Sequence, residues 1–338
     1  MREGESYPAA PSARDRFVLE RRGPHPQHDP WRHQGLILED ERTADGGRAR
    51  VATVLLTGRE CPWRCAMCDL WTYTIASDTP AGAIPAQLEL ARLALRGQAT
   101  PVTGIKLYNA GSFFDPRAVP EADYDAIALT LAGLSLVIVE SHPALAGRRV
   151  DRLLAALDRQ RGSGDPPQLE VAMGLETAHP IALDRLNKRF TMDGFARAAH
   201  ALRARDVAVR VFLLISPPFV PPSEQDEWLL RSVDAAFSCG ASVVSLVPTR
   251  SGNGAVEQLA ASGWFHPPDL DDVERSFALA LEHAEGRGRV FVDVWDLQRF
   301  ESCPCCAGAR RDRLQAMNLE QRLRPRYACP SGDHAVPQ

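Results

Sequence analysis

From residue 51 onward, short runs of near-continuous apolar residues alternate with longer stretches whose apolar positions recur every three to four residues. The short runs are VATVLL (51–56), GIKLYN (104–109), LSLVIVE (134–140), LEVAMGLE (169–176), VAVRVFLLI (207–215) and SVVSLVP (242–248). A strand buried on both faces reads as continuous Val, Ile and Leu, so these runs predict parallel strands. Between them PAQLELARLALRG, EADYDAIALTLAGL, ALAGRRVDRLLAALDRQ, the pair IALDRLNK and GFARAAHALRAR, and EQDEWLLRSVDAAFS carry helical spacing. DLDDVERSFALALEHAEG then predicts a further helix, and RVFVDVWDL (289–297) a further strand. This alternation is that of an α/β protein built from right-handed βαβ units, and six units predict a partial TIM-type (β/α)6 barrel. A doubly wound open sheet satisfies the same periodicity.

The flanks differ in character. Residues 1–45 are rich in Pro, His, Arg and Asp and include the turn-forming GPHPQHDP, which predicts an irregular N-terminal arm with LILED (36–40) as one short strand. Residues 46–297 form the predicted barrel, and 298–338 a polar, basic, cysteine-bearing appendage. A hydrophobic content of 45% with 24% charged residues is that of a globular chain, which excludes disorder throughout. The net charge of −4 gives no overall footprint for nucleic acid, although a local basic stripe survives within it. No apolar run reaches the ~20 residues that cross a bilayer. The N-terminal MREGESYPAAPSARDRF lacks the apolar core of a signal peptide, so a cytoplasmic protein without a membrane partner is expected. In a cytosolic chain of this size, eight cysteines, seven of them grouped, point to metal and away from disulfides.

Immediately after the first strand comes TGRECPWRCAMCDLW, with Cys61, Cys65 and Cys68 in a C-x3-C-x2-C pattern. Iron–sulfur clusters normally take four thiolates, so three leave one iron open to another ligand. Zinc is the alternative, and it would want a fourth Cys or His that does not follow closely. The group falls in a loop at the C-terminal end of a strand, where barrel enzymes keep their sites.

VATVLLTGRECPWRCAMCDLW resembles the first strand and cluster loop of the radical S-adenosylmethionine superfamily. The resemblance implies a 4Fe–4S cluster on Cys61, Cys65 and Cys68, S-adenosylmethionine as cofactor, and Met67 against its adenine. AGSFFD, with Gly111 and Ser112, looks like a variant of the loop that holds the amino group of S-adenosylmethionine. VESHP ends the third strand on Glu140, with His142 beyond it. The run GLETAHPIALDRLNKRFTMDGFARAAHALR resembles the fourth βα unit of the branch containing oxygen-independent coproporphyrinogen oxidase and the elongator catalytic subunit. There Glu176 would bind ribose hydroxyls, and Lys188 would lie near the S-adenosylmethionine carboxylate. That branch carries Asn-Arg-Gly-His where this chain has Asn187-Lys188-Arg189-Phe190. VPTRSGNG offers Arg250 and Asn253 as candidate substrate contacts.

Cys303, Cys305 and Cys306 in FESCPCCAGARRDRL, with Cys329 beyond them, are a candidate second metal site for zinc or another cluster; free thiols are the alternative. ARRDRLQAMNLEQRLRPRY reads as a solvated helix face or a phosphate-binding strip. Together the motifs are most similar to the archaeosine-forming tRNA radical proteins and their bacterial relatives. That likeness implies a tRNA base as substrate and a reductant such as flavodoxin or ferredoxin as partner. A radical enzyme acting on a small molecule and a non-catalytic iron–sulfur or zinc protein are the other readings.

Overall fold

The computed structural model describes residues 7–162, 164–301 and 303–329. In chain order the elements are α1 (Pro11–Leu19), β1 (Gly35–Arg42), β2 (Arg48–Leu56), α2 (Ala83–Ala94), β3 (Gly104–Asn109), α3 (Tyr124–Thr130), β4 (Leu136–Glu140), α4 (Arg148–Gln160) and β5 (Gln168–Glu176). There follow α5 (Pro180–Arg185), α6 (Met192–Arg203), β6 (Ala208–Ile215), α7 (Gln225–Ser238), β7 (Val243–Pro248), α8 (Ala255–Ala261), α9 (Leu270–Ala284), β8 (Arg289–Val292) and α10 (Ala307–Glu320).

The strands form one sheet in sequential order, curled into a half-barrel. β1 runs antiparallel to β2, from Gly35 opposite Leu55 to Arg42 opposite Arg48, and every later pair is parallel. The parallel strands carry Val, Ile and Leu on both faces because helices cover one face and the barrel interior fills the other. A main apolar core joins Val54, Leu107, Val139, Val171, Val209 and Leu246 to helix residues such as Leu88, Leu153, Phe195, Val233 and Phe277. α9 starts on a reciprocal Asp269–Asp272 capping box, as its sequence DLDD would suggest.

Three departures from the sequence expectations matter. The N-terminal arm is not simply irregular, because it supplies α1 and the whole of β1. The run 289–297 is a strand only as far as Val292; Asp293 and Trp295 turn into the site instead. The appendage contains α10, whose Asn318 side chain bonds the backbone N–H and C=O of Val292 while Gln321 does the same for Val290. These amides satisfy the outer edge of β8, which would otherwise present unpaired backbone groups. No helix among the described residues is long and apolar enough to cross a membrane.

Candidate active site

The strand ends surround a cavity of about 460 Å³ inside the half-barrel. Cys61, Cys65 and Cys68 lie in the loop after β2 and face it, with Cys65 buried and the other two half-buried. This loop has almost no regular structure of its own, so distant segments fix its shape. Ala66 donates its N–H to the Leu186 carbonyl at 3.0 Å. Asn187 donates to the Arg64 carbonyl at 2.8 Å, and Asn253 to the carbonyls of Ala66 and Cys68 at 2.7 and 3.2 Å. Arg22 pairs with Glu60 at 2.8 Å. Ala66 and Met67 pack into a second apolar cluster with Phe17, Val18, Leu186, Phe219 and Val256, so α1 and α8 form the loop's backing.

Burial raises all three thiols above the ordinary cysteine range, Cys65 to about 12 despite the opposing pull of Lys188. They are neutral without a metal, and binding one must release their protons.

Glu176 ends β5 at a bulge, with its backbone in the left-handed region at φ 70°. Its carboxylate accepts from Lys188 Nζ at 2.5 Å, and both groups line the cavity. Burial alone would lower the Lys188 ammonium, but Glu176 and the cysteines hold it above the usual lysine value. A side chain at Gly174 would overlap this pair, so glycine there makes room for it. Glu140 ends β4 in the same wall, and desolvation pushes its carboxyl up to about 8. Gly111 is equally constrained: a Cβ there would sit 2.7 Å from the Arg59 carbonyl of the cysteine loop. Ser112 is buried, sharing a 3.0 Å bond with Ser141 and accepting from the His142 N–H.

The cavity therefore gathers Cys61, Cys65, Met67, Cys68, Gly111, Ser112, Glu140, His142, Glu176, Lys188 and Arg250. Asn253 is the exception. It is 1% exposed, outside the lining, with Nδ2 committed to the cysteine loop and Oδ1 to the Val256 N–H, so it is a loop fastener and not a substrate contact. His142 is also spoken for. Its ring stacks on Trp63 at 3.5 Å, Nδ1 accepts from Ala144 and Nε2 meets the Lys188 carbonyl, which makes Nε2 the protonated nitrogen. Burial lowers its imidazole to about 4, so it is neutral. Arg250 pairs with Asp293 at 2.5 Å and keeps a buried Nε without a partner.

No family model matches the chain. It is 29% identical over 261 residues to archaeosine synthase subunit beta of Methanosarcina acetivorans, covering 73% of this chain and 70% of that protein. An uncharacterised protein of Methanocaldococcus jannaschii is 24% identical over 172 residues, which are 49% of this chain and 45% of that one. Among solved structures, methylornithine synthase superposes with a TM-score of 0.50 at 13% identity, covering 79% of this chain and 70% of its own. The match to methylornithine synthase shows a shared fold, and the match to archaeosine synthase subunit beta is a likeness that runs over most of both chains.

Asn109, 4% exposed at the end of β3 and lining the cavity, has neither its Nδ2 nor its Oδ1 partnered within the protein. An orphaned buried amide costs about 1–3 kcal/mol unless something polar meets it. Three thiols, this amide and the unpartnered Arg250 Nε fit a polar ligand beside a thiolate-bound cluster. Asn109 was not singled out from the sequence, where it is only the last residue of the GIKLYN run.

Opposite the cysteine end, the half-barrel closes on a buried ion network. Lys106 bonds Glu39 and Glu41 at 2.6 Å each, and Arg210 bonds Glu170 at 2.5 Å and also Glu41. The basic strip of the appendage is largely spent within the chain. Arg310 pairs with Asp271 and Glu274, Arg311 with Glu301, Arg313 with Glu274, and Arg322 and Arg324 with Glu320. The solvated-helix reading of that strip fits these pairings better than a phosphate-binding one.

Proposed function

We propose that Cys61, Cys65 and Cys68 hold a 4Fe–4S cluster with one iron left for S-adenosylmethionine, and that the chain uses this pair to remove hydrogen from a substrate. The observation that carries the reading is the cavity lining. Its three cysteines stand beside an orphaned amide and an ion-paired Glu–Lys, with no fourth cysteine among the described residues lining it. When bound, the cluster supplies an electron that breaks a carbon–sulfur bond of S-adenosylmethionine and so provides a 5′-deoxyadenosyl radical for hydrogen abstraction.

The chain's own residues do the positioning. Lys188 offers a fixed positive charge to a carboxylate, and Glu176 offers acceptors to ribose hydroxyls while neutralising that lysine. Asn109 donates and accepts at one point, which suits an amino acid group or a nucleoside edge. Glu140, protonated at neutral pH, is a donor in the same wall. Met67 gives an apolar surface for adenine. The ion network lines the far side of the cavity, and α10 reaches it through Asn318.

A tRNA base is the substrate class we favour, supported by the likeness to archaeosine synthase subunit beta. A base must leave its stack to enter such a cavity, at a cost of a few kcal/mol. A small reductant protein such as flavodoxin or ferredoxin would supply the electron.

Purification without oxygen, reconstitution with iron and sulfide, and addition of S-adenosylmethionine with a strong reductant test this reading. The parent chain should form 5′-deoxyadenosine and Cys65→Ala should not. A cluster that assembles without cleaving or binding S-adenosylmethionine would sink the proposal.

A further inference from the structure

The four cysteines of the appendage are not among the residues lining the cavity, and nothing in the proposed reaction uses them. Their sulfurs all fall within 4.8 Å of one another. Cys303 is 2.9 Å from Cys305 and 3.8 Å from Cys329, and Cys305 is 3.1 Å from Cys329. Cys306 joins them from the N-cap of α10, so the adjacent pair Cys305–Cys306 converges on one point, contrary to what its sequence spacing suggests.

This geometry discriminates between metals. Zn–S bonds of about 2.3 Å set the edges of a tetrahedron at about 3.8 Å. The sulfurs of Cys303, Cys305 and Cys329 lie at or just inside such edges, and an ion would need to spread those three by no more than about 1 Å. In a cubane cluster each thiolate binds a different iron and points away from the centre, so four sulfurs cannot all crowd together in this way. An all-thiolate tetrahedron is a soft site for a single ion. The start of α10 adds a positive helix end, which favours thiolates over thiols.

We propose that Cys303, Cys305, Cys306 and Cys329 bind one zinc ion, and not a second iron–sulfur cluster, so clasping the C-terminal tail to the start of α10. The tail beyond α10 is held part-way by Arg313, which donates to the carbonyls of Arg324 and Pro325 at 2.7 Å each. Cys329 then returns it to the helix start, 26 residues from Cys303. The ion thereby closes a loop around the helix that seals the edge of β8. Its chemistry is independent of the cavity cysteines.

The test is metal and sulfide analysis of the full chain purified without oxygen and reconstituted. One zinc per chain is expected beside the iron and sulfide of one cluster. Cys303→Ser with Cys305→Ser should lose the zinc and keep the iron, and trypsin should then cut the tail at Arg322–Arg326 faster. The triple change Cys61→Ala, Cys65→Ala, Cys68→Ala should do the reverse, losing iron and keeping zinc. Because a variant can misfold, parent protein grown in cobalt without zinc gives a second readout. It should show the intense visible bands of a tetrahedral cobalt–thiolate site, erased by one equivalent of zinc. Iron and sulfide at about twice the one-cluster level, halved by the serine changes, would overturn the inference. So would the absence of both zinc and the cobalt bands. Failure of iron to load on the cavity cysteines would defeat the proposed reaction and leave the zinc result standing.

Discussion

Glu176 holds a backbone conformation that costs a non-glycine residue about 1–3 kcal/mol, and the strain aims its carboxylate at Lys188. Gly174→Ala should push that pair aside while leaving the apolar core intact. Binding of S-adenosylmethionine, followed through the cluster's spectrum, should weaken about 10–100-fold, and unchanged affinity would refute a positioning role for the pair. Glu140 makes a pH prediction. Its folded carboxyl is raised to about 8 from the ordinary 4.5, so its contribution to stability is full below pH 4.5 and declines as pH rises through about 8. Glu140→Gln mimics the protonated form and does not titrate. Denaturation across pH 4.5–8 should show the parent losing stability relative to the variant, and parallel profiles would be wrong for a buried carboxyl. At this scale the placing of the three cysteines on a strand-end loop was legible, because they follow directly on an apolar strand run. What Asn253 and His142 already hold was not legible, because a sequence gives the position of a strand end but not the partners of its side chains.

Among the elements, strands β2 to β7 were legible because burial on both faces leaves long apolar runs that few other structures need. α1 was not. Its inward residues are Arg14, Phe17 and Val18, too few for a clear apolar stripe, and it is held by docking, with Arg14 bonding Asp184 and Asp15 accepting from Asn187. β8 and α10 were half-legible, since a four-residue strand depends on its neighbour for edge protection. Replacing Asn318 and Gln321 together by alanine should free the backbone groups of Val290 and Val292. Each group left unsatisfied costs about 1–3 kcal/mol, and amide exchange at those two valines should accelerate well before that of β5 or β6. Equal protection in parent and variant would mean that the clamp contributes nothing.

Across the molecule, the charges inside the barrel bind β1, β3, β5 and β6 into one floor. Burial would raise the Glu41 carboxyl, but Arg210 and Lys106 hold it down to about 2. A depressed carboxylate adds stability above its unfolded value near 4.5, and that stability is lost as pH falls through about 2. Glu41→Gln should therefore cost about 3–5 kcal/mol at neutral pH, with the gap to the parent closing on acidification below pH 4.5. A constant gap in urea melts across that range would rule out the ionic origin. The barrel was readable from periodicity, but this floor was not. Lys106 and Arg210 interrupt their apolar runs as single charges, and their partners on β1 lie in the arm expected to be irregular.

The cysteine loop takes its shape from Leu186, Asn187 and Asn253, the last of them 185 residues beyond Cys68. During synthesis all three thiols therefore emerge long before the segments that arrange them, and iron delivered to a nascent chain would meet a floppy peptide. On the proposed reading, a product ending after β6 would carry every cavity cysteine yet lack Asn253, and would be a poor acceptor of iron.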